Sequence, residues 1–215
     1  MKSSIARKLA MALSALFLMV FLLQHLSINF LSVFSEDLFN EVSHFMGTNP
    51  LVQFALQPIL IFAVIFHFVM GFILEYRNRQ ARVQNYEVYK GGASASWMSR
   101  NMIYTGLAIL GFIALHFYDF WIPEMDYKYF STNPEDPTRY YEELRHKFVD
   151  LWRVLLYVVA FVFLALHLQH GFQSAFQSIG VRGRFTPALQ KLSTVYAIAV
   201  PLGFIIIALY HYLTH

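Results

Sequence analysis

Four runs that carry no Asp, Glu, Lys or Arg each hold a histidine well inside them: His25, His67, His116 and His167. Two of them open the same five-residue pattern, "HFVMG" at 67–71 and "HLQHG" at 167–171. Neutral imidazole ligates a metal through one ring nitrogen, while the other donates a hydrogen bond that fixes the ring. Two histidines at one depth on different helices can bind a haem iron from both sides. Gly71 and Gly171, one turn beyond their histidines, would then let a flat macrocycle approach the backbone. The plainer reading of H-x-x-x-G is that small residues four apart pack membrane helices together. A polar ring facing hydrocarbon is expensive and needs a partner, so everything turns on which helices carry these rings and at what depth.

Composition says what those helices are. The chain of 215 residues is 57% hydrophobic and 18% aromatic, with a mean hydropathy of +0.47. Only 13% of its residues are charged, against roughly a quarter in a soluble domain. The absence of cysteine excludes structural disulfides, thiolate-held iron–sulfur clusters and a C-x-x-C-H haem attachment within this chain. Uncharged runs cover 9–35, 42–74, 101–118, 154–181 and 192–215. Each is long enough for a spanning helix of about 20 residues, and the third is the shortest. The expectation is an all-α membrane protein, a single transmembrane domain over 1–215. Its five helices are expected over about 8–34, 51–76, 98–121, 149–179 and 188–213. Pro58 falls in the first turns of the second, and Pro201 is expected to kink the fifth. The basic N-terminus followed by an apolar run mimics a signal peptide. That run exceeds a signal's apolar core and lacks a small-residue cleavage site, so a retained first helix is expected.

Charge chooses the orientation. Lys2, Arg7 and Lys8 precede the first helix, Arg77, Arg79, Arg82, Lys90 and Arg100 follow the second, and Arg182, Arg184 and Lys191 follow the fourth. These are eleven of the sixteen basic residues, all on one side of an alternating topology; eleven of the thirteen acids lie on the other. The positive-inside rule puts the N-terminus in the cytoplasm, and the net charge of +3 reflects topology rather than nucleic acid binding. The acidic 119–150 connection is expected as an exterior surface segment. The basic 77–97 loop is the natural face for a cytoplasmic partner, or merely sets the topology.

Alternating direction converts position into depth. His25 and His116 fall in the outer half of the bundle and His67 and His167 in the inner half, two layers about 15–20 Å apart at 1.5 Å per residue. Two depth-matched pairs describe an antiparallel five-helix bundle enclosing two b haems. His170, three residues from His167, is the rival ligand on the fourth helix, and the glycine spacing favours His167. His44 and His146 flank helices on the outer side, and His211 and His215 have no depth-matched partner left.

Five segments carry a resemblance: "HLSINF" at 25–30, "FNEVSHFM" at 39–46, "FHFVMGF" at 66–72, "LHFYDFW" at 115–121 and "LHLQHGFQSAFQSIG" at 166–180. In these the chain resembles the cytochrome b (b558-type) membrane anchor of type B succinate:quinone oxidoreductases, the single-chain di-haem family. The likeness spans the first four helices; the fifth matches only as an apolar span. The resemblance implies His25 and His116 as axial ligands of the distal haem and His67 and His167 as those of the proximal one. It further implies a succinate dehydrogenase or fumarate reductase subunit in the bacterial inner membrane. Such a subunit does not act on succinate alone. A flavoprotein subunit with FAD and an iron–sulfur subunit would dock at its cytoplasmic face, and electrons would pass through both haems to menaquinone. Some relatives carry a glutamate two residues before the fourth-helix ligand for transmembrane proton transfer; here that residue is Ala165.

Glu41 and His44 in the first outer loop are the candidates for a quinone site, unless they are simply solvated. Trp97 and Arg182 are the candidates for haem propionates, equally explained as interfacial and topology residues. Two rivals stay open. One is the di-haem cytochrome b of a hydrogenase or formate dehydrogenase; the other is a transporter whose intramembrane histidines carry metal ions or protons.

Overall fold

The computed structural model describes residues 4–80, 101–132, 135–181 and 183–215. Its elements are α1 (Ser4–Leu31), α2 (Glu36–Thr48), α3 (Gln57–Gln80), α4 (Met102–His116), α5 (Ile122–Tyr129), α6 (Arg139–Lys147), α7 (Leu151–Ser178) and α8 (Thr186–Leu213). Two π-helical turns occur: Val52–Leu56 leads into α3, and Phe117–Trp121 joins α4 to α5. Five segments are long and apolar enough to cross a membrane: Ile5–Leu31, Val52–Gln80, Met102–Tyr129, Leu151–Ser178 and Gly183–Leu213. In the most apolar stretch of each of the first three, only 11% of residues are buried inside the protein. Their remaining apolar surface faces outward, as hydrocarbon requires and water does not permit. Among the described residues all regular structure is helical, and the chain is a multi-pass membrane protein.

Helix ends follow local chemistry. Ser35 caps α2, its Oγ accepting from the Leu38 N–H at 3.2 Å, and Glu36 and Asp37 complement the dipole in the first turn. Asp150 caps α7 through the Trp152 N–H at 3.1 Å. After α7 the chain turns at Gly180 and Gly183, with φ of +90° and +85°, a backbone region that disfavours side chains. Pro187 then sits in the first turn of α8, where its missing N–H is not needed. Pro201 lies inside α8 and is fully buried.

The third span is longer than its uncharged run suggests, because the π turn carries the helix past Asp119 to Tyr129. The 119–150 connection is therefore largely helical. Together with α2 it forms a polar cap over one end of the bundle. Arg139 bridges Glu124 and Glu143, with its guanidinium over the rings of Tyr127 and Tyr140 at 3.9 and 4.3 Å. Lys128 pairs with Glu124 at 2.7 Å and, with Gln53, donates to the Gly47 carbonyl. The Tyr141 N–H donates to the buried Asn40 side chain at 2.8 Å. Burial, reinforced by the Glu124 charge, pushes the Tyr140 hydroxyl up to about 12, so it stays protonated in this cap.

Below the cap, α7 and α8 make the most extensive helix pairing, with Val154, Tyr157, Phe161, Phe204 and Ile207 in its core. α8 is tied to α1 and to the turn that follows it. The Tyr196 hydroxyl donates to the Met19 carbonyl at 2.6 Å, and the buried His211 contacts Ser32 Oγ through Nε2 at 2.9 Å. The Ser32 proton goes to the Asn29 carbonyl at 2.6 Å, so His211 Nε2–H is the donor in that contact. Gly203 permits close approach: a Cβ there would lie 2.9 Å from Leu26 Cδ1.

A charged pair crosses from the π turn to α7. Asp119, whose side chain is fully buried, accepts from Arg153 and from the Tyr157 hydroxyl at 2.7 Å. Removing one partner of a buried pair strands the other charge, at about 3 kcal/mol or more. Arg153→Met should therefore lower the thermal unfolding midpoint in detergent clearly. Tyr157→Phe, which removes one hydrogen bond to a charged group, should cost about 1.5–3 kcal/mol.

Candidate functional site

The four histidines meet as two pairs. His67 on α3 and His167 on α7 have ring centroids 6.4 Å apart with planes at 68°. His25 on α1 and His116 on α4 have centroids 5.7 Å apart with planes at 82°. Both spacings fall in the ordinary range of ring contacts, about 4.5–7 Å, and each pair brings together one imidazole from each of two helices. All four rings are half-buried, so each keeps surface that no side chain covers.

His25 and His116 lie toward the capped end, wrapped in aromatic rings. Phe21 stacks on His25 at 5.4 Å with Phe204 at 5.7 Å; Phe112 stacks on His116 at 5.8 Å with Phe120 at 5.1 Å and Tyr157 at 6.5 Å. The Asn29 amide donates to the His25 carbonyl at 2.8 Å and lies 3.3 Å from His25 Nδ1. Among the described residues, His116 Nδ1 is buried with no hydrogen-bond partner.

The far pair is held differently. His67 Nδ1 lies 3.1 Å from Ser14 Oγ on α1, and His167 Nδ1 lies 3.1 Å from Thr105 Oγ1 on α4. Four spanning helices thus converge on this one layer. Ser14 precedes His25 by eleven residues and Thr105 precedes His116 by eleven. Eleven residues are three helical turns, so α1 and α4 each present one hydroxyl and one histidine on a single face, about 16 Å apart along the axis. That is the separation of the two layers.

The glycines complete the layer. A Cβ on Gly71 would meet Met11 Cε of α1 at 3.7 Å, one on Gly171 would meet Met102 Cε of α4 at 3.5 Å, and one on Gly106 would meet His167 Cε1 at 3.7 Å. Among the described residues, a Cβ at Gly71 or at Gly171 would thus meet the far end of a methionine side chain. Among the described residues no group of three or more His, Asp or Glu comes together as a metal site. Each pair thus offers a metal two protein ligands. That donor set would suit a haem, which brings nitrogen ligands of its own and could be held by one histidine from each of two helices. It fits a bare-ion carrier poorly.

The other sequence candidates fall elsewhere. Glu41 is exposed on α2. His44 is half-buried in the cap, 3.5 Å from Glu135 and with its ring 6.3 Å from Tyr140. Among the described residues, no hydrogen bond or ring contact joins either to His25 or His116. His170 is half-buried and makes no ring contact with His67. Trp97 and Arg182 lie outside the described residues. Sequence reasoning missed Ser14, Thr105, Gly106 and Asn29. The signal for the first two was present as a lone hydroxyl three turns before each of two intramembrane histidines.

Fold and site together define a five-span helical bundle with two facing histidine pairs at two depths. Compared with family models, curated proteins and solved structures, the chain gives no match.

At 3.5–3.7 Å an added methyl makes ordinary contact, and alanine favours a helix interior over glycine by about 1 kcal/mol. Gly71→Ala and Gly171→Ala should thus leave the thermal unfolding midpoint of the bare polypeptide in detergent unchanged or raised. A fall of several degrees would mean that these glycines serve helix packing itself.

Proposed function

We propose that this chain is the di-haem cytochrome b membrane anchor of a bacterial succinate dehydrogenase of the type B succinate:quinone oxidoreductase kind. The observation that carries the reading is the meeting of four intramembrane histidines as two pairs, 5.7 and 6.4 Å between centroids, on four different helices. When bound, two b haems supply one-electron transfer between an iron–sulfur partner and menaquinone.

His67 and His167 hold the proximal group, and His25 and His116 the distal one. Gly71 and Gly171 keep the helix surface flat beside the first pair, and Phe21, Phe112, Phe120 and Phe204 exclude water from the second. With the N-terminus in the cytoplasm, the capped end lies outside and the far pair lies toward the inner face, where most basic residues fall. The chain has no cysteine, so the iron–sulfur clusters belong to a partner subunit there and FAD to the flavoprotein subunit. Trp97 and Arg182 are the candidates to meet the propionates of the proximal group. Glu41 and His44, at the outer surface, remain the candidates for proton exchange with the quinone.

Quantifying haem by pyridine haemochrome in the purified protein should give two b haems per chain. His67→Ala and His167→Ala should each remove one and the same haem, whereas His170→Ala should keep both. A colourless protein, or His170→Ala losing a haem that His167→Ala keeps, would sink the assignment. Co-purification of a flavoprotein and an iron–sulfur subunit distinguishes this anchor from the other di-haem cytochromes.

A further inference from the structure

The far histidine pair is built by two matching halves. On α1, Ser14 Oγ donates to the Met11 carbonyl at 2.8 Å and meets His67 Nδ1 at 3.1 Å; the Met11 side chain covers Gly71. On α4, Thr105 Oγ1 donates to the Met102 carbonyl at 2.9 Å and meets His167 Nδ1 at 3.1 Å; the Met102 side chain covers Gly171. The same device, Met-x-x-Ser/Thr on one helix against His-x-x-x-Gly on the next spanning helix, appears twice, with each polar distance in one half within 0.1 Å of its counterpart in the other.

A hydroxyl has one proton. Each here gives it to a carbonyl three residues back, so each can only accept from its histidine. Nδ1 must then carry the imidazole proton in both rings, and Nε2 is left as a bare lone pair. Ser14 and Thr105 are both buried, so water does not compete for either contact. The other pair lacks this arrangement: an amide donor lies beside His25 Nδ1, and among the described residues His116 Nδ1 has no partner.

We propose that Ser14 and Thr105 are the positioning residues of the far pair, fixing both rings in the Nδ1–H tautomer that leaves Nε2 for the metal. The inference rests on the haem reading above. An Nδ1–H that donates to a fixed acceptor makes its imidazole a stronger donor to the metal. That favours ferric over ferrous iron, so removing the acceptor raises the potential of this haem alone.

The test is a spectroscopic redox titration of the purified, haem-loaded protein, with haem counted in every variant. Ser14→Ala and Thr105→Val should each raise the midpoint of the proximal haem, about tenfold in the ferrous-to-ferric ratio, which is 59 mV for a one-electron couple. The distal haem should not move. Ser14→Thr and Thr105→Ser should restore the parent value. Ser27→Ala, which removes an exposed hydroxyl bonded only to the Leu23 carbonyl, should change neither haem. If Ser14→Ala empties the proximal site, Ser14→Thr decides: a filled site supports the assignment and an empty one overturns it. Two haems with an unmoved proximal midpoint in both Ser14→Ala and Thr105→Val overturn the positioning role alone. Parent protein without haem overturns this role and the cytochrome reading together.

Discussion

An imidazole inside hydrocarbon must have its nitrogens answered, because no water is there to answer them. Most of this bundle is arranged around that constraint. His67 and His167 each draw a hydroxyl from a neighbouring helix, and His211 draws Ser32 across the α1–α8 contact. The same rule governs Asp119, whose buried carboxylate is met by Arg153 and Tyr157 of α7. Each polar group therefore pins one helix against another. Between these ties, apolar side chains fill space without choosing a register, since lipid tails accept them as readily as protein does.

The two histidine layers divide along this line. The far layer is polar in its support, with both Nδ1 atoms held by hydroxyls. The capped-end layer is aromatic in its support, and its second nitrogens are poorly served: one is orphaned and one faces an amide donor. Two histidine pairs thus sit in unlike surroundings.

The five spans, their alternation and the depth matching of the histidines were legible in the sequence, because uncharged run length and 1.5 Å per residue determine all three. The cap was not. Glu36–Thr48 looked like a loop because it is too polar to span, yet Ser35 and the first-turn acids make it a well-capped helix. The reach of the third span to Tyr129 was hidden by Asp119, a charge that ends an apolar run but is neutralised within the fold. His211 had no partner of its own type, and its partner is a serine 179 residues away. Hydroxyl partners at long range leave no composition signal; only the repeated eleven-residue spacing to His25 and His116 marked Ser14 and Thr105.

Chain order gives the two layers different histories during synthesis. His25 and His116 stand on the first and third spanning segments, so their layer can close once three spans have emerged. His67 waits for His167 on the fourth, although its Ser14 partner on α1 precedes it. The last segment, α8, adds no histidine to either layer. It brings Phe204 over His25 and locks His211 onto Ser32. The earliest pair to assemble is thus the last to be roofed, and until the fifth span inserts it stays open on the side that α8 will occupy.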